Sequence, residues 1–139
     1  MKKRSDGSSS RRVESSQQGL HERLADTVRK HLAHPFRKPY AAHNVEAFER
    51  ANAWLASRHQ PLILDSFCGV GESSWRLAER FPDCAVIGID KSAARLDKHA
   101  AHRGSERDNY YLLRADVDDF WRLAVEAGWQ PREHYLLYP

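Results

Sequence analysis

The chain has 139 residues, of which 41% are hydrophobic and 29% are charged. This length allows one domain with a real core and excludes two domains of ordinary size. The longest apolar runs have four or five residues, far short of the roughly 20 that a membrane helix needs. We therefore expect a globular protein with no membrane partner.

Charge is unevenly distributed along the chain. Residues 1–60 contain 12 Lys/Arg and 6 Asp/Glu, whereas residues 61–139 contain 10 and 13. A basic leading half predicts an anionic partner such as nucleic acid, and a solvated charged surface is the alternative. Cys68 and Cys84 have neither the number nor the spacing of a disulfide framework or a zinc site, and no metal is predicted. Reduced thiols, with no signal peptide, predict a cytoplasmic location.

The N-terminal part of the chain divides into two segments. Residues 1–18 are rich in Ser, Gln and charge without apolar periodicity, which predicts a disordered basic tail. Residues 19–60 are predicted to form a helical N-terminal extension. Its first helix is indicated by apolar residues that recur every four positions, namely Leu20, Leu24, Val28 and Leu32. Asn44 is placed to cap a second helix, which Pro61 ends.

Strands and helices alternate from residue 61 onward. Short apolar runs predict buried parallel strands at 62–64, 85–89, 110–113 and 134–138. Helical patterns separate them at 72–80, 91–103 and 117–127. This alternation is typical of a parallel sheet, so the fold class is α/β.

The turn after the first strand, Asp-Ser-Phe-Cys-Gly-Val-Gly, carries the candidate chemistry. Gly69 and Gly71 permit a tight turn that a ligand can approach, and the next helix opens just beyond it. Asp90 ends the second strand 19 residues after Gly71, where nucleotide-binding folds place an acidic residue that accepts hydrogen bonds from a ribose. Asp116 ends the third predicted strand. We therefore expect Asp65, Asp90 and Asp116 at the ligand-binding edge of the sheet.

The charges in this region indicate which ligand fits. A dinucleotide brings a pyrophosphate, near which Asp65 and Glu72 would add negative charge, and Ser74 replaces the third glycine of its motif. S-adenosylmethionine has a cationic sulfonium and no phosphate, so carboxylates attract it. A purely structural alternative remains for Asp90 and Asp116, which are also placed to cap the helices that follow them.

The segment 62–74 resembles the first motif of class I S-adenosylmethionine-dependent methyltransferases. Further segments are similar to the bacterial tRNA (guanine-N7)-methyltransferase family, namely 81–83, 86–92, 113–116 and 134–139. The segment 34–39 is similar to a branch of that family with an extra N-terminal helical segment. The resemblance covers about residues 18–139 and implies a Rossmann-like three-layer sandwich.

The resemblance also implies roles for residues at the predicted edge. The cofactor would be S-adenosyl-L-methionine, with its methionine part held by Asp65 and the turn of Gly69 and Gly71. Asp90 would bind the ribose hydroxyls, and Asp116 would lie beside the adenine. Methylation of guanine N7 would need no general base, because N7 has an exposed lone pair and no proton to remove. The catalytic residues stay unassigned, because the family carries them in a segment that follows the fourth strand.

The implied partner is tRNA, with Arg37 and Lys38 on its phosphates. The family has Gly where this chain has Phe67, whose side chain would either narrow the cofactor crevice or point into the core. The family also continues past the fourth strand, so we expect residues 61–139 to be a C-terminally truncated, partial cofactor-binding domain. It would hold about four strands in the order 3-2-1-4, with an open edge at 134–138 available for self-association.

Two alternatives to this function stay open. The chain is a degenerate methyltransferase fragment that binds cofactor or RNA without turnover, or it is a methyltransferase with a different acceptor.

Overall fold

The structure, a computed structural model, describes residues 16–102 and 107–137. Most of the predicted tail, residues 1–15, lies outside the described residues. The chain divides into two compact units, residues 1–38 and residues 39–139. Within the part of the chain that the structure describes, no helix combines the length and apolar character needed to cross a bilayer.

The described part of the first unit contains one helix, α1 (Leu24–Ala33), followed by extended chain. The prediction that Leu20 belongs to this helix is wrong. Gly19 has a positive φ of 86°, and the N–H of Leu24 bonds to the carbonyl of His21, so the chain turns before the helix begins. None of the α1 residues is buried.

The second unit begins with α2 (Ala42–Arg58), which ends where His59 adopts a left-handed conformation. The prediction that Asn44 caps this helix is wrong. Ala41 occupies the cap position, and Asn44 lies in the first helical turn with its side chain fully buried. The partners of that side chain lie on another helix, which the local capping pattern does not reveal.

The rest of the second unit alternates strands and helices as predicted. The strands are β1 (Leu62–Ser66), β2 (Ala85–Asp90), β3 (Tyr110–Arg114) and β4 (Glu133–Leu136). The helices between them are α3 (Glu72–Arg80), α4 (Ala93–His102) and α5 (Val117–Glu126). All strand pairs are parallel and the sheet order is β3-β2-β1-β4. The α/β, Rossmann-like fold class and the predicted strand order are confirmed.

Apolar residues on both faces of the central strands build two cores. On one face Leu64 and Ile89 pack with α2 and α5, where Phe48 and Phe120 meet edge-on at a centroid distance of 5.2 Å. On the other face Ile63 packs against residues of α3. Both central strands are buried at every position. Because helices cover both faces, the unit has the three layers that the resemblance implied.

Among the described residues, β4 pairs with β1 and has no second strand neighbour. The strand is half-buried in alternation, and Leu136 and Leu137 are exposed. Its predicted end, residue 138, lies outside the described residues. Self-association at this edge stays a prediction.

Candidate ligand-binding site

The carboxyl ends of β1 and β2 bring Asp65 and Asp90 to the same edge of the sheet. In the register of the two strands, Asp65 pairs with Gly88 and Ser66 with Ile89. Parallel strands present their carboxyl ends to one crevice, where α/β folds bind ligands. The glycine turn, residues 67–71, leaves β1 at this point and leads into α3. Asp65, Asp90 and the turn therefore lie together, as predicted.

Asp65 is tied to the first turn of α3. Its Oδ2 accepts hydrogen bonds from the hydroxyls of Ser73, at 2.6 Å, and Ser74, at 2.7 Å. The side chain of Asp65 is buried, and Ser74 is fully buried. Both hydroxyls bond to the same oxygen, so among the described residues Oδ1 of Asp65 makes no hydrogen bond. That oxygen can still accept from a ligand.

Asp90 joins the end of β2 to the glycine turn. Its Oδ2 accepts the N–H of Gly69 at 3.0 Å, and its Oδ1 accepts the N–H of Ser92 at 2.8 Å. Arg95 lies 3.7 Å from Oδ2. The bond to Ser92 has the geometry of a local cap before α4, but the bond to Gly69 reaches another element. Asp90 is therefore more than a helix cap.

The two glycines of the turn both adopt the left-handed conformation that favours glycine. Their φ values are 60° for Gly69 and 84° for Gly71. A Cβ on Gly69 would have no heavy atom within 4 Å, whereas one on Gly71 would lie 2.4 Å from Cδ1 of Leu112. Gly69 thus faces open space where a ligand can approach, and Gly71 allows close packing inside the protein.

Cys68 lies in the turn as a neutral thiol. Burial and, to a smaller extent, the nearby carboxylates of Asp65 and Asp90 together raise its pKa to about 12. Its N–H donates to the carbonyl of Ile89, which fastens the turn to β2. Because a thiolate is the nucleophilic form, Cys68 is a packing residue rather than a nucleophile.

Phe67 has a backbone conformation that is unfavourable for any residue with a Cβ atom. Its φ is 60°, in the region where a residue with a Cβ is strained by roughly 1–2 kcal/mol. The ring is half-buried against the α2–α5 core and meets Trp121 edge-on at a centroid distance of 6.2 Å. Of the two possibilities raised by the sequence, the structure shows the ring packing with the core.

Asp116 follows β3 by two residues and stands at the cap position of α5, where its side chain makes no capping bond. The prediction that Asp116 ends the strand is off by two residues, and the cap-only alternative is wrong. Its Oδ2 accepts Nδ2 of Asn44 at 3.0 Å. The same Nδ2 donates at 2.8 Å to Asp119, a buried carboxylate. Asp116 itself is exposed.

Sequence reasoning missed a chain of polar contacts beside the turn. Nε1 of Trp121 donates to Oγ of Ser66 at 2.9 Å, and that hydroxyl also bonds to Nε2 of His134 at 2.8 Å. Burial lowers the pKa of His134, which Asp65 partly offsets. The signal was the polar residue Ser66 at the end of an otherwise apolar strand.

The two predicted RNA-binding residues, Arg37 and Lys38, lie in the first unit and are exposed. Among the described residues, no group of three or more His, Cys, Asp or Glu side chains lies together in a way that would hold a metal ion.

The chain is similar in sequence to several proteins that are named methyltransferases. The chain is 37% identical over 76 residues to 23S rRNA (uracil(1939)-C(5))-methyltransferase RlmD of Photobacterium angustum, covering 54% of this chain and 34% of that protein. It is 29% identical over 112 residues to tRNA (guanine-N(7)-)-methyltransferase of Porphyromonas gingivalis, covering 76% of this chain and 45% of that protein. The chain thus spans less than half the length of these relatives.

A third relative has a different acceptor in its name. The chain is 41% identical over 51 residues to trans-aconitate 2-methyltransferase of Deinococcus radiodurans, covering 37% of this chain and 20% of that protein. A crystal structure of a SAM-dependent methyltransferase from Anabaena variabilis matches 61% of this chain and 36% of that one, at 29% identity and a TM-score of 0.35.

No protein-family model matches the chain. The relatives agree in being named methyltransferases and differ in the molecule that their names give as acceptor. The chain is thus similar to parts of several proteins that are named methyltransferases.

Proposed function

We propose that the crevice at the carboxyl ends of β1 and β2 binds S-adenosylmethionine and that the chain takes part in methyl transfer to RNA. The observation that carries the proposal is the placement of two buried carboxylates, Asp65 and Asp90, on either side of the glycine turn. The relatives of the chain that are named methyltransferases support the same reaction class.

The charge of the crevice favours a cationic ligand. Asp65 and Asp90 are 1% and 3% exposed, and buried carboxylates attract a cation strongly because water screens them little. The thiol of Cys68 between them is neutral. A sulfonium and an ammonium group suit this environment, whereas a pyrophosphate would be repelled.

The residues of the crevice have hydrogen-bonding capacity left for such a ligand. A carboxylate offers about four acceptor positions, and Asp90 uses two of them for the N–H groups of Gly69 and Ser92. We expect its remaining capacity to accept the ribose hydroxyls. Oδ1 of Asp65 would accept a hydrogen bond from the ammonium group of the ligand. The open space beside Gly69 would hold the methionine part of the ligand. Asp116, which is exposed, would lie near the adenine.

When bound, S-adenosylmethionine supplies an electrophilic methyl group. The task of the protein is then to hold the acceptor atom in line with that group, and positioning of this kind contributes a large part of the rate. An acceptor such as guanine N7 has no proton to remove, so its methylation needs no general base.

For the acceptor we propose guanine N7 of tRNA. The segments that resemble this family extend over most of the chain, and the relative with that activity in its name aligns with 76% of it. The other relatives named above carry the names of an rRNA uracil and a trans-aconitate methyltransferase. A different acceptor, and a fragment without turnover, are therefore outcomes that the experiment must separate.

We further propose that Arg37 and Lys38 bind RNA phosphates. Both are exposed and lie in the basic leading half of the chain. Reversing both charges is expected to weaken RNA binding and to reduce the slope of log affinity against log salt by about two. An unchanged slope and affinity would contradict this assignment.

The experiment that tests the function is transfer of a radiolabelled methyl group to three substrates: unmodified tRNA, ribosomal RNA and trans-aconitate. Mass spectrometry of the digested RNA then identifies the methylated nucleoside. The proposal predicts 7-methylguanosine in tRNA, and its loss in Asp90→Asn. Methylation of another substrate would support a different acceptor, and cofactor binding without any product would support a fragment that does not turn over.

A further inference from the structure

Gly71 rests on side chains from two other elements. A Cβ on Gly71 would lie 2.4 Å from Cδ1 of Leu112 and 3.0 Å from Nδ1 of His99, whereas Gly69 has nothing within 4 Å of the same position. One side of the glycine turn therefore faces open space, and the other side lies on His99 and Leu112. We call these two residues the turn floor.

His99 in the turn floor is held by a hydrogen bond from the sheet. It lies on α4 and is 9% exposed. Its Nε2 is 2.8 Å from the hydroxyl of Tyr110, the first residue of β3. The two rings also meet edge-on, with centroids 5.5 Å apart. The Tyr110 hydroxyl thus fixes the position of the imidazole whose other nitrogen faces Gly71.

Leu112, the other residue of the turn floor, is confined by a second glycine. A Cβ on Gly88 of β2 would lie 2.6 Å from Cδ2 of Leu112 and 2.3 Å from Oγ of Ser74. The Leu112 side chain therefore fills the space between Gly71 and Gly88. Protein interiors are close-packed, so a shift of the turn floor must move the turn above it.

The hydrogen bonds of the turn link such a shift to Asp90, the carboxylate that we propose binds the cofactor. The N–H of Gly71 donates to the carbonyl of Cys68 at 2.9 Å, which closes the turn. Within this closed turn, the N–H of Gly69 donates to Asp90 at 3.0 Å. A displacement of Gly71 therefore changes the geometry at Asp90, although neither His99 nor Tyr110 is part of the crevice.

We propose that Tyr110 is a positioning residue that acts through His99 to hold the glycine turn in its binding geometry. This inference rests on the proposed function for its effect on cofactor affinity. Its effect on the turn itself does not depend on that function. The amide protons of Gly69 and Gly71 report the turn directly, because both are hydrogen-bonded in the structure.

The test replaces Tyr110 with Phe, which removes the hydroxyl and keeps the ring. We expect the Kd for S-adenosylmethionine to rise roughly fivefold, the effect of one lost hydrogen bond. Hydrogen–deuterium exchange at Gly69 and Gly71 in the free chain is expected to accelerate by a similar factor. The matched control is Tyr111→Phe on the next residue, whose ring packs against Trp54, and it should leave both measurements unchanged.

A second pair of variants protects the test against a general loss of stability. His99→Gln retains a partner for the Tyr110 hydroxyl and should bind S-adenosylmethionine more tightly than His99→Ala. The inference is overturned if Tyr110→Phe matches Tyr111→Phe in affinity and in exchange. If the unaltered chain does not bind S-adenosylmethionine, the proposed function fails, and the exchange measurement alone then decides whether Tyr110 positions the turn.

Discussion

Asn44 and Asp116 hydrogen-bond to each other twice across the contact between α2 and α5. Nδ2 of Asn44 donates to Oδ2 of Asp116 at 3.0 Å, and the backbone N–H of Asp116 donates to Oδ1 of Asn44 at 2.9 Å. Nδ2 also donates to Asp119 at 2.8 Å. Because Asn44 is fully buried, these bonds fix the start of α5, and Asp116 with it, against α2.

Removing this amide should destabilise the protein. In Asn44→Ala the N–H of Asp116 loses its hydrogen-bond partner, and the buried carboxylate of Asp119 loses one of its donors. A buried group left without a partner costs about 1–3 kcal/mol. We expect the free energy of unfolding, measured by urea denaturation, to fall by about 2–3 kcal/mol. His43, the neighbouring exposed residue, provides the control. We expect His43→Ala to change the free energy of unfolding by less than about 0.5 kcal/mol. A loss in Asn44→Ala as small as in the control would contradict this role.

At position 67, replacement by glycine should give a more stable protein than replacement by alanine, which is the reverse of the usual order. Phe67→Ala keeps the strained φ and loses the contact with Trp121, and we expect it to destabilise the protein by about 2 kcal/mol. Phe67→Gly relieves the strain and should be more stable than Phe67→Ala by about 1 kcal/mol. At the exposed Val70, whose φ is not positive, Gly should instead be less stable than Ala. Thermal denaturation of the four variants measures this order, and an Ala variant more stable than Gly at position 67 would refute it.

The two serines that bind Asp65 should contribute unequally. Ser74 is fully buried and Ser73 only partly, so water can replace the lost hydroxyl only in Ser73→Ala. We expect Ser74→Ala to cost about 1–2 kcal/mol and Ser73→Ala less than about 1 kcal/mol. In the double variant the Asp65 carboxylate keeps neither donor, so the loss should exceed the sum. Chemical denaturation measures all three, and equal small losses would show that the serines do not stabilise the carboxylate.

The raised pKa of Cys68 predicts that the protein loses stability in alkaline solution. Its pKa is raised to about 12 in the folded chain and is about 8.5 when unfolded. The folded state therefore keeps a proton that the unfolded state loses above pH 9, and the contribution is fully present below the unfolded pKa. Stability should fall between about pH 9 and 12, and less steeply in Cys68→Ala. Alkylation at pH 8 should be slow for Cys68 in the folded chain and fast in denaturant, and fast labelling of the folded chain would contradict the raised pKa.

Strand positions and their order could be predicted because they depend on local apolar runs and on a general rule of parallel sheets. The apolar run 62–64 and the helical pattern 72–80 predicted the positions of β1 and α3 well. Asp65 and Asp90 follow from their positions at the ends of strands. These residues come together because parallel strands point the same way. The crevice was predictable for this reason.

Contacts between distant elements could not be predicted in the same way. Asn44 matched a capping pattern, but its partners lie 72 and 75 residues away along the chain. His99 appears in the sequence as an ordinary helical residue, and its contact with Gly71 depends on how α4 and β3 pack beneath the turn. The positive φ of Phe67 likewise arises from the path of the turn, not from its own preference.

The most direct test of the account is isothermal titration of the chain with S-adenosylmethionine and, separately, with NAD⁺. The account predicts that S-adenosylmethionine binds, that Asp90→Asn weakens it at least about tenfold, by about 1.4 kcal/mol or more, and that NAD⁺ does not bind. The circular dichroism spectrum of Asp90→Asn should match that of the unaltered chain. Binding of NAD⁺ alone, or S-adenosylmethionine affinity that is unchanged in a folded Asp90→Asn variant, would contradict a cofactor site at the ends of β1 and β2.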